Sequence, residues 1–124
     1  MSDAAATALD SGDAEAALAF LAEMSPDLRG GAIFAGDGSV LAATGEAGRW
    51  REDAAKLLEI ADAAGSGPVE QVHVASEQGE VFALRAHGLA AVVVADRFAL
   101  ASLLFFDMRS TLRDLALGQD RDAA

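Results

Sequence analysis

The side chains best suited to chemistry in this sequence are Asp37, held between Gly36 and Gly38, the histidines His73 and His87, and the acid pairs Glu52–Asp53 and Glu77–Glu80. A carboxylate between glycines begins many cation loops and many tight turns, and the next few residues tell the two apart. A calcium loop needs several oxygen ligands at set spacing, whereas Asp37 is succeeded by Ser39 and then the apolar run Val40–Ala43. Asp37 is therefore read as a turn residue, the Asp-Gly pair being suited to the positive φ of a type I′ hairpin. No Walker-type phosphate loop is present, and no GxGxxG run opens a helix after a strand. The segment Gly45-Glu46-Ala47-Gly48-Arg49 precedes a helix, whose first N–H groups attract anions, but Glu46 repels them and the segment reads as a connection. The histidines fall in different elements without a third His or Cys, and the acid pairs fall on polar faces and turns. No catalytic residue, cofactor site or metal site is expected, and the chain reads as a non-enzyme.

The whole composition narrows the classes further. A chain of 124 residues that is 52% hydrophobic is long enough for one packed domain. With no Cys, disulfides and thiolate zinc sites are excluded. Nine basic against twenty acidic residues give a net charge of −11, which repels nucleic acid and anionic lipid and favours a basic partner. The longest apolar run, Leu89–Ala95, is far short of the roughly 20 residues of a membrane span. The acidic start MSDAAATALDSGDAEAA lacks the basic region of a secretory signal, so a cytoplasmic location is expected.

These residues must be positioned by elements that the hydrophobic period reveals. A first helix is expected from about Ala14 to Ser25, capped by Ser11 or Asp13, with Ala16, Ala17, Phe20, Leu21 and Met24 on its apolar side. Two strand-length runs flank Gly36-Asp37-Gly38 as a hairpin. From about Arg49 to Ala64 the period is again helical, with Trp50, Ala54, Leu57, Leu58, Ile60, Ala61 and Ala64 filling an arc of about 160°. Arg51, Glu52, Glu59 and Asp62 lie opposite. After Gly65-Ser66-Gly67-Pro68 come three runs, Val69–Ser76, Glu80–Ala86 and Leu89–Ala95, punctuated by Gln78-Gly79 and His87-Gly88. A last helix extends from Arg97 to about Leu117, capped by Asp96, with Phe98, Ala101, Leu104, Phe105, Met108, Leu112 and Leu115 on its main face. Leu103 and Phe106 fall outside that face and are assigned to contact with the first helix. The unalternating runs Ala32-Ile33-Phe34 and Val92-Val93-Val94 mark strands covered on both faces. The result is an α+β domain of order α-β-β-α-β-β-β-α, a mainly antiparallel sheet between helices. Its expected limits are 13–117, with flexible flanks at 1–12 and 118–124.

The sequence Leu28-Arg29-Gly30-Gly31-Ala32-Ile33-Phe34, leading to Asp37-Gly38-Ser39-Val40-Leu41-Ala42, resembles the Roadblock (dynein light chain) family, within the longin-like and profilin-like group of folds. The Ala- and Leu-rich helix from Trp50, then Val81-Phe82-Ala83-Leu84, Leu89-Ala90-Ala91-Val92-Val93-Val94 and Met108-Arg109-Ser110-Thr111-Leu112 extend the likeness from about Ala14 to Ala116. The resemblance implies a five-stranded antiparallel sheet with the middle helix on one face and the terminal helices on the other. It implies dimers in which middle helices lie together and third strands pair edge to edge. It also implies a non-catalytic platform or regulator for small Ras-like GTPases, sometimes an activator of GTP hydrolysis. The chain departs from the family in its acidity and in the short Gly65–Pro68 connection.

The wide apolar arc and the free sheet edge assign Trp50, Ala54, Leu57, Ile60, Ala61, Val72 and Val74 to a homodimer interface. Arg51, Glu52, Lys56, Glu59 and Asp62 are assigned to partner binding. The leading expectation is a homodimeric module that binds and regulates a small GTPase. The rivals are a structural adaptor of a cytoskeletal or signalling complex and a small-molecule sensor of PAS-like or GAF-like type. A sensor needs a hollow with a few polar groups; the small residues Ala32, Ala35, Ala42, Ala83, Ala90 and Ala91 favour close packing instead.

Overall fold

The computed structural model describes residues 11–65 and 67–123. The elements are α1 (Ser11–Met24), β1 (Leu28–Phe34), β2 (Val40–Ala43), α2 (Ala47–Ala64), β3 (Gln71–Ser76), β4 (Gly79–Ala86), β5 (Leu89–Ala95) and α3 (Ala101–Ala123). All strand pairs are antiparallel, in the order β2-β1-β5-β4-β3. Helix, hairpin, helix, meander, helix is the order read from the sequence. The expected flank at 1–12 lies outside the described residues up to residue 10, and residues 11 and 12 already belong to α1. At the other end α3 continues to Ala123, past the expected stop at Leu117.

The sheet is covered on both faces. On one, Leu18 and Leu21 of α1 and Leu104, Met108, Leu112 and Leu115 of α3 pack on Ile33, Phe82, Leu84 and Val93. On the other, Ala54, Trp50, Leu57 and Leu58 of α2 pack on Ala32, Phe34, Ala83 and Val92. Adjacent strand residues thus enter different cores, which is why the central strands lack polar alternation.

The core-facing stripe of α1 is Ala14, Leu18 and Leu21, buried, with Ala17 partly buried, at i, i+4, i+7 and i+3; of the expected face Ala17 and Leu21 lie on it, whereas Ala16, Phe20 and Met24 are exposed. Gly31 contributes to this choice. A Cβ on it would meet Leu18 Cδ1 at 3.3 Å and Val93 Cγ1 at 2.9 Å, so only a glycine lets Leu18 sit this close to β1. Phe20 is left 57% exposed.

Three further expectations on α3 are corrected. Asp96 does not cap the helix, which starts at Ala101; it pairs with Arg29 at 2.6 Å, and its own N–H donates to Asp27 O. Phe98 lies in the intervening loop with φ +67° and is 82% exposed, off the apolar face. Leu103 and Phe106 are also exposed, so α1 does not cover them.

The hairpin of Gly36-Asp37-Gly38 forms, but not as type I′. Gly38 N donates to Ala35 O at 2.9 Å, and positive φ in the turn is confined to Gly38 at +91°. Instead, the two-residue turn with both central φ values positive is His87-Gly88, at +56° and +76°, joining the paired residues Ala86 and Leu89. A histidine accepts that conformation more readily than a bulky β-branched residue.

Candidate interaction site

Helix α2 covers only part of its sheet face. Beside it runs an open apolar groove of 510 Å³ between Trp50 and Leu57 on the helix and Val74, Val81, Val92 and Val94 on the sheet. The groove opens toward β3, the last strand in the sheet, whose residues Gln71 and His73–Ser76 are exposed and whose outer backbone edge pairs with no other strand among the described residues. Ile60, 62% exposed, extends apolar surface beyond the groove.

The residues assigned to self-association thus divide. Ala54 is buried against the sheet; Trp50, Leu57, Ala61 and Val72 are half-buried; Ile60 and Val74 are exposed. Trp50 has an internal role as well, its Nε1 donating to Thr44 O at 2.6 Å. Thr44 in turn accepts at Oγ1 from Gly31 N at 3.0 Å, so the indole is tied to the end of the first hairpin.

Of the polar set, Arg51, Glu52, Lys56 and Glu59 are exposed. Asp62 is not available as assigned. Its carboxylate takes Arg85 in two bonds, 2.9 and 3.1 Å, and accepts from Val69 N at 3.0 Å. The Arg85 hydrogen bond, and after it the Val69 N–H, holds the Asp62 carboxyl below the usual carboxylate range. Arg85 also donates to Val69 O at 3.1 Å, so this half-buried pair fastens the connection from α2 to β3. Sequence reasoning places Asp62 on the polar side because its partner is remote in sequence. Arg51 and Glu59 line a second groove of 750 Å³, between α2 and the β1–β2 and β4–β5 turns.

Glu80, which the sequence places among the solvated acids, is 7% exposed. Its Oε1 lies 2.6 Å from His73 Nε2, and its Oε2 accepts from Phe98 N at 2.6 Å. An ionised carboxylate only accepts, so the imidazole carries its proton on Nε2. The His73 hydrogen bond, then the Phe98 N–H, holds the Glu80 carboxyl below its ordinary value. His73 also stacks on Phe82, centroids 4.4 Å apart. Glu80 is thus the polar pin between β3, β4 and the loop that leads to α3. His73 lies within β3 and His87 in the β4–β5 turn, so the structure does not assemble them into one centre. Among the described residues no three of His, Asp and Glu converge as metal ligands.

Asp37 is exposed and uses Oδ1 locally, accepting from Ser39 N at 2.9 Å and Ser39 Oγ at 2.7 Å. These two bonds, the backbone one first, lower its pKa. Asn keeps an oxygen in the same place, so Asp37→Asn is expected to leave Tm almost unchanged. Gly38→Val, which forces a β-branched residue to φ +91°, should cost about 1 kcal/mol or more. Thermal melts with and without calcium check both. A calcium-dependent rise in Tm that Asp37→Asn abolished would overturn the turn reading.

No family model matches the chain, and no curated protein matches it in sequence. Solved structures do match in shape. The Roadblock/LC7 domain from Streptomyces avermitilis superposes with a TM-score of 0.70 at 22% identity, over 82% of this chain and 92% of that one. Myxococcus xanthus MglB gives 0.66 at 11% identity, over 90% of each chain. LokiProfilin2, solved in complex with rabbit actin, gives 0.60 at 16% identity, over 82% of this chain and 94% of that one. At such identities the likeness is one of shape: the chain has the fold of the Roadblock/LC7 domains, the family its sequence resembles.

Proposed function

We propose that the chain is a non-catalytic, cytoplasmic module that forms a homodimer through α2 and β3 and, as a dimer, binds and regulates a small Ras-like GTPase. The observation that carries the reading is the apolar groove beside α2 together with the free edge of β3. A second copy of α2 laid along the first would fill both grooves, and antiparallel pairing of two β3 edges would continue the sheet across the two-fold axis. Stable dimers of this kind bury on the order of 1,600 Å². The Roadblock fold supports the GTPase half of the proposal through the family's implied role. The likeness to a profilin seen with actin supports the rival, a structural adaptor in a cytoskeletal complex.

The test of the GTPase reading is a titration of a small GTPase encoded beside the chain, or recovered with it from lysate, in GTP and GDP forms. The exposed Arg51, Glu52, Lys56 and Glu59 govern docking in this reading, and the apolar set governs assembly. Reversing charge at Glu52 and Glu59 is expected to weaken binding about tenfold with the dimer intact, and raising salt should slow association as it screens over a Debye length of ~8–10 Å. Unchanged affinity moves the docking site elsewhere. No nucleotide-dependent binding by the unaltered chain favours the adaptor.

A further inference from the structure

We infer that the groove between α1 and α3, on the face of the sheet opposite α2, is a docking site for a basic amphipathic helix of a partner protein. The groove measures 680 Å³. Its large exposed apolar contacts are Phe20 and Met24 from α1 and Phe106 from α3, with Phe106 at 65%, over a floor that includes Ala17 and the buried Leu115. Aromatic side chains left in water at this density mark a surface built to be covered.

Shape and charge select the occupant. The end of α1 lies by the first half of α3, where Ser25 Oγ donates to Asp107 Oδ2 at 3.5 Å, so two antiparallel helices form the walls. The wall from Asp13 to Met24 spans about three helical turns, the length over which a third helix inserts anchors at i, i+3 or i+4 and i+7. Three carboxylates, Asp13, Asp107 and Asp114, line the groove, and among the described residues no Lys or Arg does. Arg113 approaches Asp114 at 3.5 Å from outside the lining and offsets part of one charge. A second copy of this chain would bring the same carboxylates face to face, against a net charge of −11 on each molecule. An anionic lipid surface is repelled for the same reason. A helix with Lys or Arg flanking an apolar stripe satisfies both the groove and its rim. This surface is separate from α2 and β3, so the inference stands or falls independently of the dimer and of the GTPase.

The experiment uses the full chain and a labelled peptide of about 14 residues, with leucines at i, i+3 and i+7 and lysines on its polar face, read by fluorescence anisotropy. Two control peptides share its length: one scrambled to destroy the helical spacing, one with glutamate for every lysine. The basic helix is expected to bind at micromolar concentration, and both controls at least about tenfold more weakly. Phe106→Ser, Phe20→Ser and the pair Asp13→Lys with Asp114→Lys should each weaken binding about tenfold or more. Phe20 and Phe106 are largely exposed, so circular dichroism should be unchanged, and two separate serine variants keep the test decisive if one fails to fold. Emission from Trp50, the single tryptophan, on the opposite face, should not move on peptide binding. The inference is overturned by absent binding of the basic helix, by equal affinity for the scrambled peptide, or by full affinity in the variants. A halving of molecular mass by light scattering in Phe106→Ser would also overturn it, since the occupant would then be a second copy.

Discussion

Leu57→Asp is expected to turn a species of twice the chain mass into one of single mass, and with it to abolish GTPase binding. Leu57 lines the apolar groove beside α2, where the proposed dimer seats the partner's helix. A carboxylate buried there without a partner costs about 3 kcal/mol, and two-fold symmetry enters the cost twice. The dissociation constant should rise by about four orders of magnitude, enough to dissociate the dimer at micromolar concentration. Light scattering over a concentration series measures this directly. Because Leu57 is half-buried, Ile60→Asp serves as the companion variant: at 62% exposure its side chain contributes little to the monomer's own packing. Lys56→Asp, on the exposed side, should leave the dimer whole. If the unaltered chain is a folded monomer, or both apolar variants keep double mass, assembly does not run through this groove.

Glu80→Ala should produce the largest stability loss of any single polar substitution, several degrees in Tm at neutral pH. It strips the hydrogen-bond acceptor from His73 and from the Phe98 N–H together, and the loop holding Phe98 at φ +67° loses its tether. The pH dependence has a definite sign. A carboxyl whose pKa is lower in the folded chain than in the unfolded one contributes its full stability above the unfolded value, about 4.3, and loses it as pH falls through the depressed folded value. The hydrogen bonds from His73 and the Phe98 N–H, with the charge of Arg97, act on it in this direction. Glu80→Gln keeps an acceptor for Phe98 but removes the charge, so its Tm should fall less at neutral pH and show a shallower decline between about pH 5 and pH 2. Calorimetry across that range reads the slopes, and amide exchange at Phe98 reads the loop. Parallel acid limbs in Glu80→Gln and the unaltered chain would mean that other carboxylates carry the acid sensitivity.

The elements are legible in the sequence because glycine-containing turns separate runs of clear period; Leu89–Ala95 emerges with both ends as read. The face of α1 is not. Its sequence carries two overlapping stripes, and the choice depends on the missing side chain of Gly31 beneath Leu18, a contact between elements. Phe98 and Asp96 read as helix because nothing local reveals that Glu80 captures the Phe98 N–H or that Arg29 captures Asp96. Asp62 shows the same pattern, its partner Arg85 standing on a strand two elements away. Trp50 and Leu57 of the apolar groove fall in the wide α2 arc read from the sequence, whereas Val81, Val92 and Val94 on its sheet side are not singled out there. The polar side chains committed inside the fold are not legible, since periodicity records where a residue faces but not what reaches it from elsewhere.

The sheet order has a consequence for how the chain reaches this state. β3, β4 and β5 are joined by two-residue connections and pair with their neighbours in sequence, so that meander closes its loops at small entropic cost. β1 pairs instead with β5 and sits between it and β2, making the centre of the sheet a contact between the two ends of the domain. During synthesis the first hairpin and α1 therefore wait, with Ile33 and Phe34 uncovered, until β5 has left the ribosome. With the packing of α1 on α3, that pairing closes the longest loops of the fold, which on topology alone favours slower folding and leaves the nascent β1 edge open to aggregation until it forms.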